Sequence, residues 1–274
     1  MKAQIYTDFP EALEADVHIN TKKKVEIVID CGIPKFLKKV PEDTIRFFVT
    51  IQPEGHYNHL IKDNPNAYTY LLTNFDDLIT LPNTHFMNGV TAFVKPDSRI
   101  KKKFAVSTVV GGRRGLPGHN LRHELYKRRH EIKIPFDFYL GYRTMWGEAD
   151  YSNELTLTPD KGEKIRAFDC MFHIAIDSYR RNDFFSEKLV DPLITMTIPI
   201  WWGCPNIDEY FNPSGILSVS NVDDIITTCN RLTEDLYNKT MRGWMCENYE
   251  LALNYVDYGE QLQRKCQEVL NENA

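Results

Sequence analysis

Three groups of residues in this chain have types and spacings suited to chemistry. The first lies between residues 172 and 211. An apolar run ends at Asp177-Ser178, a polar loop follows, and Ser186-Glu187-Lys188 opens a helix. Serine is a good N-cap and glutamate in the first turn suits the helix dipole, but Lys188 in that turn opposes it unless an anion is near. A helix start just beyond the C-terminal end of a strand is where open α/β sheets bind nucleotides and phosphates. The bland alternative is a solvated helix start. The second group is cationic: Arg113, Arg114 and Arg122 sit in and after a glycine-rich turn, 111–115, and suit charge-assisted bonds to phosphate. A flexible charged loop explains Arg113 and Arg114 equally well. The third is Ile198-Pro199-Ile200-Trp201-Trp202-Gly203-Cys204-Pro205, where two aromatic rings precede a stiff turn. It reads as a sugar or base platform or as core packing.

The elements that must position these groups follow from the hydrophobic pattern. Residues 25–30 and 45–51 are short, β-branched and aromatic, as buried strands are, and 68–72 and 78–81 continue the series. After Pro96-Asp97-Ser98 and a run of basic residues, 104–110 opens a second series. A helix is expected over 119–130, with Leu121 and Leu125 on one face and Arg122 and Lys127 elsewhere. Strands follow at 136–140, 168–176, 198–202 and 215–219, with a helix over 185–196 and a polar loop at 141–164. The continuous apolar stretch 168–176 suits a parallel strand covered on both faces. Beyond Val222 helix formers dominate without proline. Alternating strands and helices imply an α/β fold with parallel sheets.

The segment 172–211 resembles the C-terminal motif of glycosyltransferase family 10, the α-1,3/4-fucosyltransferases. There, a strand ends in an acidic-Asn-Ser triplet, and a Tyr-x-(Thr/Ser)-Glu-Lys stretch opens a helix. A (Val/Ile)-Pro-Ile-Tyr-Trp-Gly strand and an acidic-x-Phe-Asn turn follow. Here the corresponding residues are Ile176-Asp177-Ser178, Phe184-Phe185-Ser186-Glu187-Lys188, 198–203 and Glu209-Tyr210-Phe211-Asn212. The triplet is shortened and Trp201 replaces the usual tyrosine.

The resemblance implies a GT-B architecture: two Rossmann-like domains facing a cleft, with C-terminal helices crossing back to the first domain. The implied boundaries are 1–96 for the acceptor-side domain, 97–240 for the sugar-nucleotide domain and 241–274 for the returning helix. Trp244, Tyr249, Leu251, Leu253 and Tyr255 would pack on the first domain. The implied reaction is inverting transfer of L-fucose from GDP-fucose to a hydroxyl of a glycan. Donor binding falls to Arg122, Asp177, Ser178, Ser186, Glu187 and Lys188, with Arg113, Arg114 and Trp202 as further candidates. Family members carry an acid and a proline after an early strand, and the acid is thought to be the catalytic base. This chain has Gln52-Pro53-Glu54-Gly55-His56, so Glu54 is the candidate base and His56 the alternative. His56 and His59 also read as plain surface or core histidines. Two readings compete: a GT-B transferase for another sugar nucleotide, and an inactive relative that binds nucleotide sugars.

Composition narrows the class. The 274 residues carry a net charge of −5, which gives no reason to expect nucleic acid or an anionic membrane as partner. The six cysteines show no CxxC pair, so free thiols are expected. No convincing Asp-x-Asp signature appears, arginine and lysine can replace a cation, and no cofactor or essential metal is expected. No stretch approaches the ~20 apolar residues of a membrane span, which suggests a cytoplasmic protein or a soluble fragment lacking an anchor.

Overall fold

The structure, a computed structural model, describes residues 1–7, 15–140, 155–156 and 164–273. The chain forms two compact units, one of residues 1–91 with 257–274 and the other of residues 92–256. The expected loop at 141–164 lies almost wholly outside the described residues.

The first unit is built on a parallel sheet of β1 (Gln4–Tyr6), β2 (Lys24–Ile29), β3 (Thr44–Val49), β4 (Tyr70–Thr73) and β5 (Thr84–Phe86), in that order across the sheet. The central strands are largely buried on both faces, and the period of two sorts their residues. Val28, Phe48 and Leu71 face Ile61 of α1 (Asn58–Asp63) and Leu78 of α2 (Asp76–Ile79). Ile27, Ile29, Phe47, Val49 and Leu72 share the opposite core with Tyr258, Leu262, Cys266 and Val269. The strand expected at 78–81 is instead α2, and β5 follows it. A short apolar run does not distinguish strand from helix by period, and Leu78 is fully buried as a helical residue.

The second unit carries β6 (Lys103–Val110), α3 (Pro117–Arg128), β7 (Phe136–Leu140), β8 (Leu155–Thr156), β9 (Cys170–Ile176), α4 (Glu187–Leu193), β10 (Ile198–Trp202), β11 (Leu217–Ser218), α5 (Val222–Cys229) and α6 (Arg242–Ala252). Its described strands are parallel in the order β11-β10-β9-β6-β7-β8. β9 and β10 are buried along their whole length, as the apolar stretch 168–176 implied for β9. The helix expected over 185–196 is only Glu187–Leu193, and Met196 turns the chain with φ 57.

The last helix, α7 (Tyr258–Glu272), belongs to the first unit. The sequence reading began this returning segment at 241. In the structure α6 stays with the second unit because Asn248, fully buried, bonds both the N–H and the carbonyl of Asn212. The aromatic and aliphatic residues chosen for packing on the first domain therefore do something else. Tyr255 packs edge-on against Phe185 and tilted against Phe211, Tyr249 packs on the second unit's own core, and Trp244, Leu251 and Leu253 are exposed. No helix among the described residues is long and apolar enough to cross a membrane. All six cysteines are free.

Candidate functional site

In the second unit's sheet the chain winds outward from β6 through β7 and β8, then returns to add β9, β10 and β11 on the other side of β6. The order reverses between β6 and β9. In open α/β sheets, ligands bind beyond the carboxyl ends of the strands at such a switch point. The described strands of the first unit run in one direction, β1 to β5, and make no reversal.

Two strand ends flank the switch point. β6 runs into the loop 111–115 and then α3, and β9 ends at Asp177-Ser178. Gly118, near the start of α3, donates its N–H to Ser178 O at 3.1 Å. A Cβ on Gly118 would lie 1.7 Å from Asp177 O, so only glycine lets the helix approach the strand end so closely. One turn on, Arg122 is buried against the sheet with Leu125 and Tyr126. The helical pattern had set it on a different face from Leu125. Its Nε donates to Gly118 O at 3.1 Å and its Nη2 to Ser178 Oγ at 3.3 Å, while Nη1 has no acceptor among the described residues.

α4 completes the cluster. Ser186 caps it, its Oγ accepting from Lys188 N and donating to Asp177 Oδ1 at 3.1 Å. Lys188 Nζ reaches Glu187 Oε1 at 2.9 Å and lies 3.8 Å from Asp177 Oδ1. Burial pushes the Glu187 carboxyl up, but the ammonium groups of Lys188 and Lys164 outweigh it and hold it at about 2. Asp177 is fully buried. Burial, with the Glu187 charge, raises its carboxyl above the usual range against the pull of Lys188. Arg122, Asp177, Ser178, Ser186, Glu187 and Lys188 are thus one connected group, with two cations facing two carboxyls.

The remaining candidates separate from it. Arg113 and Arg114 are exposed, and the Arg113 carbonyl accepts from His123 Nε2 at 3.1 Å, outside the group. Trp201 and Trp202 are core residues and present no exposed rim. The Trp201 ring covers Gly203, where a Cβ would come within 2.1 Å of it, and Trp202 Nε1 donates to Ser220 O. In the first unit, Glu54 follows β3 in an exposed turn and its Oε2 lies 2.6 Å from His56 Nε2. His59 is exposed on α1.

The sequence reading missed Asp30. It follows β2 in the left-handed region, φ 35, almost wholly buried, and its Oδ2 accepts from the N–H groups of Ile51 and Gln52. Burial pushes its carboxyl up to about 7 against those bonds and the charge of His56. A strained, buried acid holding the start of the Glu54 turn has no signature beyond an aspartate after an apolar run. Lys164 was also missed. It pairs with the buried Asp191 at 2.6 Å and adds its charge to the Glu187 environment.

A carboxylate-thiol cluster of Asp137, Asp169 and Cys170 lies near the starts of β7 and β9, at the opposite end of the strands. Lys103 Nζ already pairs with both carboxyls, 2.6 Å from Asp137 and 3.4 Å from Asp169. Burial keeps the Cys170 thiol protonated, so the group is a poor metal site.

With this geometry in place, known proteins supply the comparison. The solved structure of TarM superposes with a TM-score of 0.58 over 90% of this chain and 54% of that one, at 10% identity. The pneumococcal O-GlcNAc transferase GtfA gives 0.55 over 89% and 57%, at 13% identity. An α1,3-fucosyltransferase gives 0.50 over 86% and 75%, at 16% identity. The fold is that of the GT-B glycosyltransferases. In sequence, 58 residues are 31% identical to the α-(1,3)-fucosyltransferase FucT of Helicobacter pylori, covering 20% of this chain and 12% of that enzyme. No family model matches the chain. It is fucosyltransferase-like over that segment and GT-B-like throughout its described fold.

Proposed function

We propose that the chain is a glycosyltransferase that binds a sugar nucleotide at the switch point of its second unit and moves the sugar, L-fucose from GDP-fucose in the first instance, onto a hydroxyl of a glycan with inversion. The observation that carries this reading is the cluster itself. Arg122, tied to Ser178, and Lys188, tied to Glu187, stand where the strand order reverses. Phosphoryl oxygens take charge-assisted bonds from such cations, and a departing diphosphate needs them most when its bond to the sugar breaks. Glu187, held ionised, is an acceptor for sugar or ribose hydroxyls. Glu54, hydrogen-bonded to His56, is the proposed base for the acceptor hydroxyl. Arginine and lysine supply the positive charge, so the reaction is proposed to need no metal ion.

The sugar rests on the likeness to fucosyltransferases, whereas the diphosphate rests on the cluster. Incubating the protein with GDP-fucose and with other GDP- and UDP-sugars, and weighing the products, separates the two. Release of GDP from GDP-fucose, and its loss in Arg122→Ala, is the expected result. Turnover of a different sugar nucleotide would keep the glycosyltransferase reading and discard fucose. Absence of any turnover with nucleotide binding intact would mark an inactive relative.

A further inference from the structure

Asp177 is a fully buried carboxyl with an incomplete set of partners. Its Oδ1 accepts from Ser178 N at 2.8 Å and from Ser186 Oγ at 3.1 Å, and its N–H is spent on Trp202 O. Oδ2 is buried and takes no hydrogen bond among the described residues. An ionised carboxylate in that position leaves a strong acceptor unsatisfied, and burying one without a partner is costly. The nearest cation, Lys188 at 3.8 Å, is already bonded to Glu187 at 2.9 Å.

The groups facing Asp177 come from two helices. α3 contributes Arg122 and, beside it, His119, whose imidazole is held below its ordinary range by burial and by the Arg122 charge. α4 contributes Glu187 and Lys188. Lys164 lies further out and is neutralised by Asp191. With both carboxyls ionised, two cations meet two anions and the cluster is neutral. With Asp177 protonated, one positive charge is left to attract a ligand. A diphosphate beside an ionised Asp177 would meet a like charge within a water-poor site, where such repulsion is strongest.

We propose that this site takes its nucleotide with the Asp177 carboxyl protonated, so that binding draws a proton from solvent. The proposal rests on the sugar-nucleotide reading above. It makes Asp177 a determinant of when the donor binds: Oδ2 changes from an unsatisfied acceptor into a donor, and the cluster gains the charge that the diphosphate requires. The direction in which burial and Glu187 move this carboxyl agrees with the geometry.

The test is calorimetry with GDP-fucose, whose esterified diphosphate does not titrate near neutrality, in two buffers of different ionisation heat at pH 8. Wild-type protein should take up about one more proton per ligand than Asp177→Asn, and its affinity should fall ~tenfold per pH unit above the Asp177 titration. In Asp177→Asn the amide keeps the Oδ1 bonds and puts a donor at the Oδ2 position. Its affinity should lose that tenfold-per-unit fall, since the amide has no proton to give up. Uptake by His119 persists in both proteins and cancels in the difference. Difference infrared spectra of the wild-type complex give a second reading that needs no variant: a protonated-carboxyl carbonyl band should grow on adding ligand at pH 8. Equal proton uptake in the two proteins, or no such band, would overturn the proposal while leaving the nucleotide site standing. Failure of the wild type to bind GDP-fucose, GDP or UDP at any pH would overturn the sugar-nucleotide reading, and this inference with it.

Discussion

Glu187 and Asp177 share one cluster and are driven in opposite directions, because Lys188 spends its closer bond on Glu187. In Lys188→Ala the Glu187 carboxyl should move up from about 2 toward its usual range, which a pH titration followed by carboxyl NMR would register. Asp30 is a further buried acid, its carboxyl pushed up to about 7 by burial. A raised carboxyl means that the folded chain holds a proton the unfolded chain has released. The stability contributed by Asp30 therefore falls as pH rises from about 4 to about 7 and is level beyond. Asp30→Asn keeps an acceptor for Ile51 and Gln52 without the charge. It should leave stability near pH 4 almost unchanged and raise it at pH 8 by on the order of 2 kcal/mol, read by denaturant unfolding at both values. For Glu54, replacement by glutamine should lower turnover ~10²- to 10⁴-fold with GDP affinity nearly intact. If His56→Asn abolishes turnover while Glu54→Gln stays active, the base is His56.

Among the elements, α3 shows how much of the site depends on backbone approach. Gly118 lets the helix start rest against the end of β9, and that contact brings Arg122 within reach of Ser178. Gly118→Ala would force a methyl to within 1.7 Å of Asp177 O, so helix and strand must separate. GDP binding should be lost in this variant with far-UV circular dichroism little changed, whereas Asn120→Ala, on the exposed side of the same helix, should bind as wild type. The order of motifs from Ile176 to Asn212 was legible in the sequence, because apolar strands and a serine cap are local signals. That Arg122 faces inward was not. Its helix is amphipathic only weakly, and the burial is decided by a glycine contact across 59 residues of chain, from 118 to 177. The strand expected at 78–81 failed for the same kind of reason: a short apolar run takes its state from what covers it, here the Ile61 and Leu71 core.

At the scale of the molecule, the two sheets are alike in being parallel and differ in winding, and only the second reverses direction among its described strands. The break at Pro96, the alternation of elements and the family resemblance were enough to expect two α/β units. The place where the second unit ends was not, because α6 and α7 are both amphipathic and nothing in their patterns says which core each one joins. Asn248, bonded to the Asn212 backbone, holds α6, and Leu262 and Val269 commit α7 to the first unit. Leu262→Ala should destabilise the first unit by ~2–5 kcal/mol, seen as a lower denaturation midpoint for amide exchange in β2 and β3. Saturating GDP should slow exchange around residues 111–122 and 177–188, because a ligand stabilises the unit that binds it.

The placement of the diphosphate between Arg122 and Lys188 is the claim on which the rest depends, and calorimetric titration with GDP tests it most directly. Wild-type protein should bind, and Arg122→Ala and Lys188→Ala should each weaken binding by one to two orders of magnitude, about 1.4 to 3 kcal/mol for a lost charge-assisted contact. Affinity unchanged in both variants, with folding intact by thermal melting, would contradict it.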